Sequence, residues 1–280
     1  MNEITVKSKA KINIGLNIIN KRLDGFHNLE TIFYPIDLFD EIRFTKSDKF
    51  SFNSNDSELS KESTNLIIKA KEQLENYSGI QFPVEVYLNK NIPIGAGLGG
   101  GSSNAASTLI ALNNLFDIKI ELKGLAEISL NIGSDVPFFL NPVPAFAESR
   151  GEKIIPLNLS INKHIVVVNP GIHISTKWAF RLIKPKKPNK SLKLLVGKSE
   201  TELDELMNSA TNDFEKIVFD QFPEIKNIKE NLVNRFGATF SMMTGTGSTI
   251  WGLFDEAENA IKSELFFQSM KYFTYSQKLT

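Results

Sequence analysis

The chain has no cysteine, and only three histidines and two tryptophans among its 280 residues. Disulfides and cysteine-ligated metals are therefore excluded, and a reducing compartment such as the cytoplasm fits. No stretch is long and apolar enough to span a bilayer, and the first residues, Met-Asn-Glu-Ile-Thr-Val-Lys, hold no apolar signal core. An excess of charge of one sign is also missing, because 32 basic residues balance 32 acidic ones. With no long basic run, binding to nucleic acid or to an anionic membrane is not expected. The densest cationic stretch holds Lys184, Lys186, Lys187 and Lys190. Pro185 and Pro188 break it, so it reads as a solvated loop. What remains is ordinary for a globular protein, with 41% hydrophobic and 23% charged residues. The length allows one large domain or two smaller ones.

Glycine is concentrated in one place. Of 17 glycines, five are Gly95, Gly97, Gly99, Gly100 and Gly101. A strand-like run at residues 84–88 precedes them and a helix-like run at residues 104–116 follows. Glycines permit positive φ and let backbone N–H groups come close to an anion. A helix starting just behind them adds unpaired N–H groups and the positive end of its dipole. Together these make a phosphate cradle. It is not a Walker loop, because no lysine follows Gly101. The G-x-G-x-x-G spacing of Gly95, Gly97 and Gly100 matches a dinucleotide fingerprint, but the context does not. Asp117 follows the helix directly, before any second strand could present it.

Elsewhere, Ile12, Ile14, Leu16 and Ile18 alternate with Lys11, Asn13, Gly15 and Asn17, a strand with one buried face and Lys11 and Asn13 on the other. Asp24-Gly25 marks a turn, and residues 29–44 read as one or two further strands. Helices are expected at residues 59–77, capped by Ser63 or Thr64, and at 105–116, 121–132, 176–183, 200–208, 212–219 and 223–236. A further helix running to about residue 267 would open on the capping pair Asp255 and Glu258. Strands are expected at residues 164–169, 239–243, 249–254 and near 272–275. The mixture lacks strict βαβα alternation, which supports α+β in two domains, with the boundary near the irregular residues 149–159.

A kinase needs a carboxylate near an alcohol and a cation near the transferred phosphate. Asp135, in Gly133-Ser-Asp-Val-Pro137, is the best carboxylate, and it fits equally as the cap of a short helix. Lys11 is the best cation, although a lysine on a polar strand face is ordinarily solvated. Phe180 fits as a core residue of its helix.

The ungapped run Pro93-x-Gly95-x-Gly97-Leu98-Gly99-Gly100-Gly101-Ser102-Ser103 resembles the phosphate loop of the GHMP kinases. Ala10-Lys11-Ile12-Asn13, Asp24-Gly25-Phe26-His27, Gly133-Ser-Asp135-Val-Pro137 and Thr244-Gly-Thr-Gly247 follow the order and approximate spacing of one branch of that family, whose substrate carries a cytidine diphosphate. Asn212-Asp-Phe-Glu215 looks like a further segment of it. The resemblance implies the two-domain GHMP architecture, with a ribosomal-protein-S5-like ATP-binding domain over residues 1–155 and a ferredoxin-like domain over 156–280. It implies phosphorylation by ATP with Mg²⁺ of the substrate's 2-hydroxyl. It also implies Asp135 as general base and Lys11 as the cation that holds the alcohol. Asn65, Lys90 and the glycine run from Pro93 to Ser103 would take ATP. Asn13, Phe26, His27, Thr176 and Phe180 would grip the cytidine diphosphate end, and Gly245, Thr246 and Gly247 would close over the reacting groups. No carboxylate is assigned to the metal, which would ride on the triphosphate, with Ser103 as a candidate ligand. The alternatives are a GHMP kinase for another small alcohol and a nucleotide-binding protein without turnover. Two positions depart from the family's habit: Phe26 where tyrosine is common, and Lys9 where proline is. The last residues, 268–280, do not resemble the family's ending.

Overall fold

The alternation in the first 46 residues produces two long antiparallel-paired strands, β1 (Glu3–Lys21) and β2 (His27–Lys46). Between them the chain reverses at Asp24-Gly25, where Gly25 adopts φ +86°. Residues 29–44 thus lie in one strand. In this computed structural model the described residues are 1–57, 59, 65–198, 206, 207 and 210–279. The expected caps Ser63 and Thr64, and most of the helix expected at 200–208, lie outside them.

Contacts divide the chain into two interleaved units rather than two consecutive ones. The first unit comprises Met1–Ala10, Asp37–Ile94 and Gly99–Pro142; the second comprises Lys11–Ile36, Gly95–Leu98 and Val143 onward. A single cut at residue 155 does not reproduce this division, because β1 and β2 each contribute to both units. The stretch 149–159 is not irregular throughout. β5 (Ala145–Ser149) pairs with β2 and forms a hairpin with β6 (Lys153–Pro156). The irregular look of its sequence comes from the turn. Ser149 and Gly151 take positive φ there, and Glu152 accepts from the Ser149 hydroxyl and the Arg150 N–H.

In the first unit, the far half of β2 pairs with β4 (Val84–Asn89), which runs parallel to β3 (Ser51–Ser54). Helix α1 (Leu66–Ser78) packs on α2 (Gly100–Leu115), with α3 (Leu122–Leu130) against both. The stripe Ala105, Leu109 and Leu112 is fully buried. A short 3₁₀ helix (Val136–Leu140) packs on α2.

In the second unit, β7 (His164–Asn169), β8 (Phe240–Met243), β9 (Ile250–Phe254) and β10 (Phe273–Lys278) form an antiparallel sheet in the order β10-β7-β9-β8. Helices α4 (Thr176–Leu182), α5 (Phe214–Gln221) and α6 (Pro223–Glu230) lie between β7 and β8 in the chain, and α7 (Ala257–Ser269) lies between β9 and β10. This is the split βαβ pattern of a ferredoxin-like domain, so the expected α+β class holds. The capping pair expected for α7 does not form. Glu256 occupies its N-cap, while Asp255 pairs with Lys163 and Glu258 with Lys262. Residues 273–278, in the ending unlike the family's, complete the sheet beside β7.

Candidate active site

The glycines at 95, 97 and 99 all adopt positive φ, at +65°, +76° and +74°. Space as well as conformation demands glycine here. A Cβ on Gly97 would strike the Thr244 carbonyl oxygen, and one on Gly95 would lie 2.9 Å from His173 Nδ1. Gly99 is the N-cap of α2 and supplies no side-chain cap, so no side chain of that residue satisfies the first N–H groups of the helix. Unpaired N–H groups at a helix N-terminus favour an anion. One turn in, the Ser103 hydroxyl is buried and accepts a hydrogen bond from Ser8 at 2.8 Å. Gly101 is exposed, and Pro93 and Ser102 are half-buried.

Lys11 is not a solvated surface lysine. It is 3% exposed, and its ammonium donates to Asn13 Oδ1 at 2.6 Å and to the Gly97 carbonyl at 2.9 Å. Both faces of β1 are buried from Ala10 to Ile18, because the polar face lies against the glycine segment and the 244–247 turn. Asn13 is the hub of that face. Its Oδ1 also accepts from the Gly245 N–H at 3.0 Å, its own N–H donates to Thr244 Oγ1 at 3.0 Å, and its Nδ2 donates to Thr31 at 2.8 Å. The Asn13 amide is therefore engaged inside the protein, beside Lys11. Asn212 supports the same turn from behind, donating to the carbonyls of Met243 and Gly245. Thr246 lies 3.4 Å from Thr176, hydroxyl to hydroxyl, and Gly247 is buried beside Ile174 and Met243.

Lys9, which shares the Lys11 register, is exposed and paired with Asp37. Asp135 sits at the N-cap of the 3₁₀ helix, half-buried, but its side chain makes no capping bond. Asn65 does cap: its Oδ1 accepts from the Ile67 N–H at 2.9 Å and starts α1. Lys90 is tied to Asp40 at 2.5 Å. Burial pulls the Lys90 ammonium below its ordinary value, against the pull of Asp40 in the other direction.

Among the aromatics, His27 and Phe180 are in contact, with ring centroids 5.1 Å apart. Phe180 also packs edge-on against Phe214 at 4.9 Å, so it belongs partly to the core, as its helical spacing allowed. Phe26 is 50% exposed and carries the Arg150 guanidinium over one face, 4.8 Å from the ring centre. Burial, and then Lys21, hold the His27 imidazolium below its usual value. Among the described residues no three His, Asp or Glu side chains gather as a metal site. No helix among them is long and apolar enough to cross a membrane.

Residues 65–141 match the family described as GHMP kinases N terminal domain, and residues 191–268 match GHMP kinases C terminal. The 4-diphosphocytidyl-2-C-methyl-D-erythritol kinase of Bacteroides fragilis (strain ATCC 25285) is 42% identical over 261 residues, 91% of this chain and 93% of that one. The enzyme of that name from Chlorobium phaeobacteroides (strain BS1) is 40% identical over 272 residues, 96% and 95% of the two chains. The chain belongs to the GHMP kinases, in the 4-diphosphocytidyl-2-C-methyl-D-erythritol kinase family. A crystal structure of 4-(cytidine 5'-diphospho)-2C-methyl-D-erythritol kinase superposes with a TM-score of 0.80 at 28% identity, over 99% of both chains. Homoserine kinase from Cytophaga hutchinsonii shares the fold, with a TM-score of 0.70 at 17% identity over 100% of this chain and 95% of that one.

For a GHMP kinase of this family, several residues around the motifs escaped the sequence reading: Ser8, Thr31, Asp40 and His173. Ser8 and Asp40 carried a usable signal. Each sits in the apolar register of its strand, Ser8 with Ala10 and Ile12, Asp40 with Leu38 and Ile42. A polar residue in a core row must have a buried partner. His173 carried none, because only the fold brings it beside Gly95.

Proposed function

We propose that this kinase phosphorylates the 2-hydroxyl of 4-diphosphocytidyl-2-C-methyl-D-erythritol with ATP, as a cytoplasmic enzyme of isoprenoid precursor synthesis. The observation that carries the reading is the buried Lys11 ammonium bonded to the carbonyl of Gly97, inside a glycine segment whose positive φ values leave no room for side chains. A buried lysine held on a phosphate loop is arranged to offset charge on a transferred phosphoryl group, not to solubilise a strand. Residues 95–103 and the N-terminus of α2 cradle the triphosphate. Asn65 and Lys90 flank the nucleotide. Ser103 would be the candidate to hold Mg²⁺ carried on the triphosphate, and the ion would supply charge to offset the phosphate oxygens.

Asp135 takes the proton of the 2-hydroxyl as its oxygen attacks the γ-phosphorus, and ADP leaves in line. No phosphoenzyme is needed, because the fold already supplies charge and position. The cytosine stacks on Phe180 and on the face of Phe26 away from Arg150, with neutral His27 at its edge. Thr176, Gly245, Thr246 and Gly247 close the pocket over the reacting groups.

The test mixes purified protein, Mg-ATP and the cytidyl substrate, with homoserine, mevalonate and galactose in parallel, and follows ADP. ADP formed with the cytidyl substrate alone supports the reading. ADP formed with another alcohol overturns the substrate and keeps the kinase. Replacing Asp135 by Asn is expected to lower kcat by about 10²–10⁴ while ATP still binds; unchanged turnover would remove Asp135 from the role of base.

A further inference from the structure

Asp40 lies in the apolar row of β2, between Leu38 and Ile42, and is 0% exposed. A carboxylate in that position must be matched by donors. Three converge on it. Oδ1 accepts from the N–H groups of Asn91 and Ile92, both at 2.8 Å, and Oδ2 accepts from Lys90 Nζ at 2.5 Å. Asn91 adds a bond from its side chain to the Phe39 carbonyl at 3.0 Å.

These partners are not scattered. Residues 90–92 are the last before Pro93, where the glycine run begins. The Lys90 ammonium lies 2.9 Å from where a Cβ of Gly100 would be, and Gly100 is the first residue of α2. One buried carboxylate therefore holds the entry to the phosphate loop directly and reaches its exit through Lys90. Lys90 itself has its charge already matched, so its part is to brace the loop more than to act as a loose phosphate clamp.

We propose that Asp40 is a positioning residue for ATP, which sets the phosphate loop by fixing Asn91 and Ile92 and by pinning Lys90 against the start of α2. The inference rests on the reading of residues 93–103 as the ATP loop. It goes beyond that reading in assigning loop geometry to a residue that touches neither substrate.

The test compares full-length Asp40→Asn, Lys90→Met and the double variant with wild type. It measures the Kd of Mg-ATP by calorimetry, KM for ATP, KM for the alcohol, kcat and the thermal midpoint. Asp40→Asn keeps an acceptor for the two N–H groups and removes the charge that holds Lys90. It is expected to raise the Kd and KM for ATP about tenfold, with kcat changed less than about threefold and the KM for the alcohol unmoved. The double variant removes both charges, so its melting temperature recovers toward wild type while ATP affinity stays weak and no worse than in Lys90→Met. If Asp40→Asn does not fold, the double variant carries the test alone. Recovery of both melting temperature and ATP affinity in the double variant would overturn the proposal, leaving Asp40 as a counter-charge only. Wild-type ATP affinity in folded Asp40→Asn would do the same. Failure of the wild type itself to bind Mg-ATP would instead overturn the proposed function.

Discussion

Around Lys11 the polar groups are buried and joined by hydrogen bonds of 2.6 to 3.1 Å, with Asn13 at the centre. Around Phe180 the same unit is built the other way. Rings meet at centroid distances of 4.9 and 5.1 Å, His27 is half-buried, and Phe26 is 50% exposed. The first region is a preorganised polar network whose geometry is fixed before any substrate arrives. A low local dielectric strengthens its bonds and penalises any missing partner. The second is an open aromatic patch, where stacking tolerates small displacements. Under the proposed function, chemistry falls to the first region and recognition to the second.

The largest effect should come from breaking the rigid region. Replacing Lys11 by Met removes the cation and leaves Asn13 Oδ1 and the Gly97 carbonyl each short of a donor. We expect kcat to fall by about 10²–10³, with the KM for the cytidyl substrate changed far less. Equal losses in KM and kcat would erase the division of labour.

Breaking the aromatic region should give the opposite signature. Phe180→Ala and Phe26→Ala each remove a stacking surface worth roughly 1–3 kcal/mol, so KM for the cytidyl substrate should rise about tenfold while kcat holds. Phe180 also packs on Phe214, so its variant should melt lower than the Phe26 variant. An unchanged KM in both variants would leave the patch without a nucleobase.

A third substitution sharpens the rigid side through backbone alone. Gly97→Ala puts a methyl into the Thr244 carbonyl at φ +76°. It should lower stability by about 1–3 kcal/mol, read as a lower melting temperature, because neither loop can move without releasing Lys11. A variant with the wild-type melting temperature would show that the two loops are looser than their contacts imply.

These two regions also differ in how far the sequence announced them. The glycine run and Thr244-Gly-Thr-Gly247 were legible as motifs, and period-two alternation put Lys11 and Asn13 on one face of a strand. Alternation said nothing about what covers that face. The residues that bury it, Thr244 and Gly245, lie 231 and 232 positions away from Asn13, and no local pattern encodes that pairing. Of the aromatic patch, the residues were legible and the arrangement was not. His27, not Phe26, meets Phe180, because the turn at Asp24-Gly25 places Phe26 under Arg150. The fold class followed from the mixture of elements. The interleaving of the two units did not, because β1 and β2 are each long enough to serve both.

The smallest effect concerns His27 and pH. Burial, with Lys21 second, disfavours the imidazolium in the folded protein, so the unfolded chain takes up this proton at a higher pH, near the ordinary value of about 6.5. Between that value and the lower folded one the unfolded state binds more protons, and stability falls as pH falls. Above about 6.5 the contribution is fully present. The melting temperature of the wild type should therefore drop more between pH 7.5 and 5.5 than that of His27→Gln, by on the order of 1 °C because the ring is only partly buried. Parallel curves would mean that His27 is as solvated as Phe26. The recognition region would then lack the one neutral hydrogen-bonding edge that separates a cytosine site from a bare stacking surface.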